Sequence, residues 1–288
     1  MPSIKINSQV ASCNPVTCSN EGFFPESKEL LAVFVATYTY IFVGCGTLFI
    51  EKRGEITFVG VALAWGSFVA ANIYTFGHIS GAHINPAVTF AYALVGQFPW
   101  KKVPMYVMVE FLGCTVASLT LRWIFDGEDI EVMLTQPVGP NPASDLKVAV
   151  LETIITFIYI IANCCSRSDP RAFKELGGVA VGATVFFLVL LAGKITGASM
   201  NPARSLGPAI AAWNFNKIWI YIVSPTIGSV LATTLYFFHL KPPKSEGDGK
   251  QVDQVSADNT IDISAISNSL RMIAEKSWEM EIFKEAGI

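Results

Sequence analysis

Charge is scarce in this sequence. Only 15% of its 288 residues are Asp, Glu, Lys or Arg, while 52% are hydrophobic; a soluble domain carries about a quarter charged residues. The mean hydropathy is positive. This balance points to a membrane protein rather than a soluble enzyme or binding module. The net charge of −3 leaves no basic surface for a nucleic-acid partner. Cysteine patterning is also lacking: Cys13, Cys18, Cys45, Cys114, Cys164 and Cys165 are scattered, with neither metal-ligand spacing nor a disulfide framework. Cys13 and Cys18 read as free thiols of a polar tail. There is no phosphate-binding loop and no nucleophile constellation. No enzyme, metal or cofactor is therefore expected. The N-terminal segment lacks a basic start, an apolar core and a small-residue cleavage site in succession, so it does not read as a secretory signal. The first apolar run should itself direct membrane insertion.

Apolar runs are what the sequence has instead. A bilayer-spanning helix needs about 20 mostly apolar residues. Six runs qualify, at about 30–50, 56–76, 103–125, 148–165, 177–192 and 218–240, the fourth and fifth being short. Two shorter stretches, about 86–98 and 202–213, suit re-entrant half-helices. Each opens with Asn-Pro: Asn85-Pro86 and Asn201-Pro202. Asn is a favoured N-cap, and Pro loses nothing in a first turn, where its missing N–H has no partner anyway. The organisation expected is a tail at 1–29, a channel domain at 30–240 and a second tail at 241–288. Basic residues near the spans lie mostly on one side, which favours both tails in the cytosol.

The two short segments belong to a repeat. Gly-His-Ile-Ser-Gly-Ala-His-Ile-Asn85-Pro86-Ala87-Val88-Thr-Phe aligns with Gly-Lys-Ile-Thr-Gly-Ala-Ser-Met-Asn201-Pro202-Ala203-Arg204-Ser-Leu, and half the positions are identical. Repeat one covers about 30–125 and repeat two about 148–240. Each holds three spans, and three is odd, so the second copy lies upside down relative to the first. Inverted repeats place a site at the membrane midplane, built from broken helices. Irregular backbone at that depth is tolerated only where it lines a water-filled path or is buried in protein. The expected fold is all-α: six transmembrane helices plus two re-entrant half-helices around a pore.

Two Asn-Pro-Ala boxes, with Ser-Gly-Ala-His before the first and Ala-Arg-Ser after the second, resemble the aquaporin (major intrinsic protein) family. Within it the sequence is similar to the plant nodulin-26-like intrinsic proteins of the glycerol and water subgroup. The resemblance covers roughly 29–240. It implies a passive channel for water and small uncharged solutes such as glycerol, closed to protons and ions. It further implies a homotetramer in a lipid bilayer, most simply the plasma membrane or else an internal membrane. Asn85 and Asn201 would line the pore. Arg204 would join an outer selectivity filter with Trp65, Val189 and Ala198. Glu152 would brace a pore loop, its counterpart in span one being replaced by Val33, which would leave the other loop unbraced. Glu110 is a second intramembrane acid, and such acids are functional candidates by default. Lys194 replaces a usual Pro and would add positive potential near the outer mouth. Ser264, Ser267 and Ser269 are candidate sites for a protein kinase. The alternatives are a facilitator of boric or arsenous acid, or an ion-coupled secondary transporter.

Overall fold

The computed structural model describes residues 27–137, 142–169 and 171–242. The serines at 264, 267 and 269 lie outside them. Eight α-helices occur among the described residues: α1 Ser27–Lys52, α2 Phe58–Ser80, α3 Pro86–Leu94, α4 Val103–Ile124, α5 Asp145–Asn163, α6 Gly177–Thr196, α7 Pro202–Ala212 and α8 Ile218–Leu235. No strand is present among them. Six of the helices, with their short 3-10 or π extensions, are long and apolar enough to cross a membrane. At 1.5 Å per residue, 23 residues reach about 35 Å, enough for a hydrocarbon core of about 30 Å with some tilt. Span four is longer than its apolar run, because a π-helical segment, Cys164–Ser168, continues α5.

The sequence expectation for the first half-helix runs four residues too far. The helix α3 stops at Leu94. Gly96 then takes φ +71°, a left-handed conformation that glycine adopts freely, and the chain turns away before Phe98.

Helix packing obeys the inverted repeat. The helix α1 packs on α4 as α5 packs on α8, and α4 holds α7 as α8 holds α3. The central pair, α2 and α6, is its own mate. Close approach depends on glycine at matching places. A Cβ on Gly113 of α4 would stand 3.0 Å from the Phe34 carbonyl oxygen of α1, and one on Gly228 of α8 would stand 2.5 Å from that of Thr153 in α5. Where α2 crosses α6, a Cβ on Gly182 would meet the Gly66 carbonyl oxygen at 2.5 Å. Without a hydrophobic drive between helices in lipid, such backbone proximity is a main source of association.

Candidate functional site: the meeting point of two half-helices

Each half-helix begins the same way. The spans before them, α2 and α6, both end on a left-handed glycine, Gly81 at φ +74° and Gly197 at φ +90°. Their N–H groups close onto Gly77 and Gly193 carbonyls. The chain then runs inward to Asn85 and Asn201, whose backbones adopt nearly identical extended angles. Asn85 Oδ1 accepts from the Ala87 N–H at 3.0 Å. Asn201 Oδ1 accepts from Ala203 N–H at 2.9 Å and Arg204 N–H at 3.3 Å. Pro86 and Pro202 occupy the first turns, where no N–H is needed.

The two caps also lock to each other. Asn85 Nδ2 donates to the Met200 carbonyl at 2.7 Å, and Asn201 Nδ2 donates to the Ile84 carbonyl at 2.7 Å. Each amide nitrogen carries two hydrogens and spends one on this exchange. Both asparagines line a cavity of about 10 Å³, on the order of one water molecule. The positive ends of two helix dipoles therefore converge at one buried point.

The second loop is braced from α5. Fully buried Glu152 accepts from Ser199 N–H and Met200 N–H at 3.0 Å each and from the Thr196 hydroxyl at 2.6 Å. These backbone donors would otherwise lack partners in a dry interior, and hydrogen bonds to a charged group contribute roughly 1.5–3 kcal/mol. The expectation of an unbraced first loop needs revision. Val33 is buried and apolar, but Glu110 of α4 reaches the first half-helix instead. Its Oε1 accepts from the Thr89 hydroxyl at 2.8 Å, and the Asn85 backbone N–H approaches the same carboxyl group. The His83 Nδ1 lies 3.1 Å from the same Thr89 hydroxyl, which links the three side chains. Oε2 of Glu110 has no hydrogen-bond partner among the described residues. Arg167, in the π segment after α5, completes this side by donating to the Gly81 carbonyl at 3.1 Å.

Arg204 is almost wholly buried beside the second box. Its guanidinium lies 5.0 Å from the Trp65 ring centroid, and Nη1 donates to the Met133 carbonyl at 2.7 Å. Trp65 precedes the cavity residue Val69 by one turn of α2, and Val189 follows the cavity residue Val185 by one turn of α6. Since α2 and α6 run antiparallel, both lie on the same side of the cavity. Ala198 sits in the lead-in to the second box with φ +42°, its N–H bonded to Thr196 Oγ1 at 3.1 Å.

Several residues of this site escaped the sequence reading. Met133 belongs to a 3-10 turn, Ile130–Met133, in a stretch that reads as a polar acidic loop. Thr135 from the same loop donates to Ser205 Oγ at 2.7 Å. The burial of Met133 and Thr135 among charged neighbours was not expressed by any periodicity. Lys194 behaves differently from expectation as well. It forms an ion pair with Glu51 at 2.7 Å and lies over the Phe58 ring, so its charge is matched locally.

Comparison with known proteins shows the family. Residues 23–236 match the Major intrinsic protein family. A Zea mays protein named Aquaporin NIP1-1 is 45% identical over 214 residues, covering 74% of this chain and 74% of its own length. Aquaporin NIP1-1 of Oryza sativa subsp. japonica is 47% identical over 214 residues, with the same coverage of both chains. Nodulin-26 of Glycine max is 42% identical over 214 residues, covering 74% of this chain and 78% of its own. The solved aquaglyceroporin from Plasmodium falciparum superposes with a TM-score of 0.65 at 25% identity, covering 73% of this chain and 94% of its own. The matched region takes in both Asn-Pro-Ala boxes and reaches through α8, so the chain belongs to the major intrinsic protein family, multi-pass membrane channels rather than enzymes.

Proposed function

We propose that this channel passes water and small uncharged solutes up to glycerol in size, and excludes protons and ions. The reading rests on the reciprocal bonds of Asn85 and Asn201. Each amide keeps one N–H for a passing oxygen, and the two donors flank a single water-sized space. A water held there by its oxygen points its own hydrogens outward in both directions, which interrupts a proton wire. The convergent helix dipoles and the Arg204 guanidinium repel cations. Outward of this point, Arg204 has donors beyond the one given to Met133, and Trp65 offers a flat apolar wall. A hydroxylated carbon chain can bond the first and lie along the second. Val189, small and apolar, leaves room for it.

Purified protein in liposomes tests this by stopped-flow swelling with water, glycerol, urea and boric acid, beside a proton-flux assay. Water and glycerol are expected to cross with no proton current. Passage of water with exclusion of glycerol would refute the filter assignment. In Arg204→Val the positive charge is gone, and a measurable cation leak is expected; a mutant that stays cation-tight removes Arg204 from the barrier.

A further inference from the structure

The two half-helices end differently. Helix α3 is closed by its own chain: the Gly96 N–H donates to the Ala93 carbonyl at 3.1 Å, and the Gln97 N–H to that of Tyr92 at 2.8 Å. Helix α7 ends on Trp213, a bulky residue at φ +52°, whose N–H turns back to the Ala209 and Ile210 carbonyls. The next carbonyl, that of buried Ala211, is met from outside. Arg122, in the last turn of α4, donates to it from Nη1 at 2.5 Å. The last four carbonyls of a helix have no partner within it, and a cation placed there also faces the negative end of the helix dipole.

The inverted repeat gives α3 no such residue. Gly113 of α4 and Gly228 of α8 are mates, and the same step carries position 122 to Phe237. That ring meets Tyr92 of α3 edge-on, with centroids 6.2 Å apart. The half-helix held by a guanidinium is thus the one that carries Arg204. It is also the one with a break. Pro208 has no N–H, so the bond that would tie the next turn to the Arg204 carbonyl cannot form. Gly207, just before the break, lies so close to α4 that a Cβ there would stand 2.7 Å from the Cys114 carbonyl carbon. Ala211, beyond the break, receives Arg122. Helix α4 therefore splints the interrupted half-helix on both sides of Pro208.

We propose that Arg122 is a positioning residue for the outer filter: its guanidinium pins the far end of α7 to α4 and so fixes the place at which Arg204 stands. Arg122 itself stays clear of the solute path. Without it, α7 is held on α4 only at Gly207, and the turn bearing Arg204 can shift against Trp65 and the Met133 carbonyl. The meeting point of the asparagines does not depend on this clamp, because its bonds run to the Met200 and Ile84 carbonyls. The proposal rests on the reading of Arg204 as the cation barrier.

The test measures potassium flux beside water flux in proteoliposomes of wild type, Arg122→Met, Arg122→Lys, Arg204→Val and the double variant Arg122→Met/Arg204→Val. Methionine keeps much of the stem and removes the donor. Its potassium leak is expected to rise on the order of tenfold over wild type, the weight of one charge-assisted hydrogen bond. Lysine keeps a charged donor and should restore most of the barrier. The double variant should leak no more than Arg204→Val alone, because the effect runs through Arg204. A cation-tight Arg122→Met that conducts water overturns the clamp, even if its melting temperature falls. A leak that adds in full to that of Arg204→Val overturns it too, since Arg122 then acts elsewhere. Should the methionine variant fail to fold, Arg122→Gln is expected to show part of the leak, and a tight glutamine variant overturns the clamp. A cation-tight Arg204→Val would instead refute the filter reading beneath the proposal.

Discussion

Glu110 and Glu152 serve the two half-helices unequally. Glu152 takes three hydrogen bonds, two from backbone, whereas Glu110 takes one from the Thr89 side chain, is approached by the single backbone N–H of Asn85, and leaves Oε2 without a partner among the described residues. Replacing Glu152 by Leu strands two buried backbone donors, each costing about 1–3 kcal/mol. Glu110→Leu strands one backbone N–H, that of Asn85, and a threonine hydroxyl that can turn to another acceptor. Melting in detergent is therefore expected to show a larger loss for Glu152→Leu, and equal losses would contradict the brace. The same packing decides Val33. Gly113 faces Phe34 and Thr37 of α1, which puts Glu110, one turn earlier in α4, at the level of Val33. A carboxylate at position 33 would be buried next to another acid, and burying an unpaired charge is costly. Val33→Glu is expected to lower the melting temperature. From the sequence Val33 reads as a missing brace, because the compensating acid lies on a different span and the link runs through Thr89. No spacing rule connects residues 110 and 89 on separate helices.

Among the elements, the crossing of α2 and α6 is the least forgiving. A Cβ on Gly66 would press on Phe186 Cβ at 2.7 Å as well as on the Gly182 carbonyl. Backbone cannot yield as a side chain can, so Gly66→Ala should cost about 1–3 kcal/mol, typical of overpacking. A melting temperature unchanged from wild type would show that the helices can part without penalty. The linker from α5 to α6 is tied differently. Asp169 accepts from Arg171 Nε and backbone N–H at 2.9 Å each and from Nη2 at 2.7 Å. The guanidinium holds the Asp169 carboxyl below its ordinary 3.8, at about 2. A folded-state value below the unfolded one means the stabilisation is complete above about pH 4 and is lost as pH falls towards 2. Across that window the wild type should lose more thermal stability than Asp169→Asn; parallel losses would dismiss the clamp. The spans themselves were legible because their length and apolarity are dictated by the bilayer. Ends were less so: Gly96 shortens the half-helix α3, and a π turn carries α5 beyond the end of its apolar run, whereas the last span covers 218–240 as read.

For the whole molecule, the inverted repeat was legible from two seven-of-fourteen matching segments, and it carried the architecture with it. What it did not carry were the contacts between halves, since partners such as Asn85 and Met200 meet only after both repeats have folded. The reciprocal asparagine bonds have a consequence for biogenesis. The acceptor of Asn85 lies 115 residues later in the chain. At a synthesis rate of roughly 5–20 residues per second, the first half-helix waits on the order of ten seconds for Met200 to exist. During that interval its cap has no partner across the axis, and the nascent half-channel presents polar backbone to lipid or to the insertion machinery. A chain truncated after residue 125 is expected to be short-lived in cells, and co-expression of 126–288 is expected to lengthen its life. A truncated half as durable alone as with its complement would show that insertion of the first repeat is complete before the second arrives. If the halves do need each other, the quality-control step for this channel is not the insertion of any one span but the late docking of two loops made seconds apart.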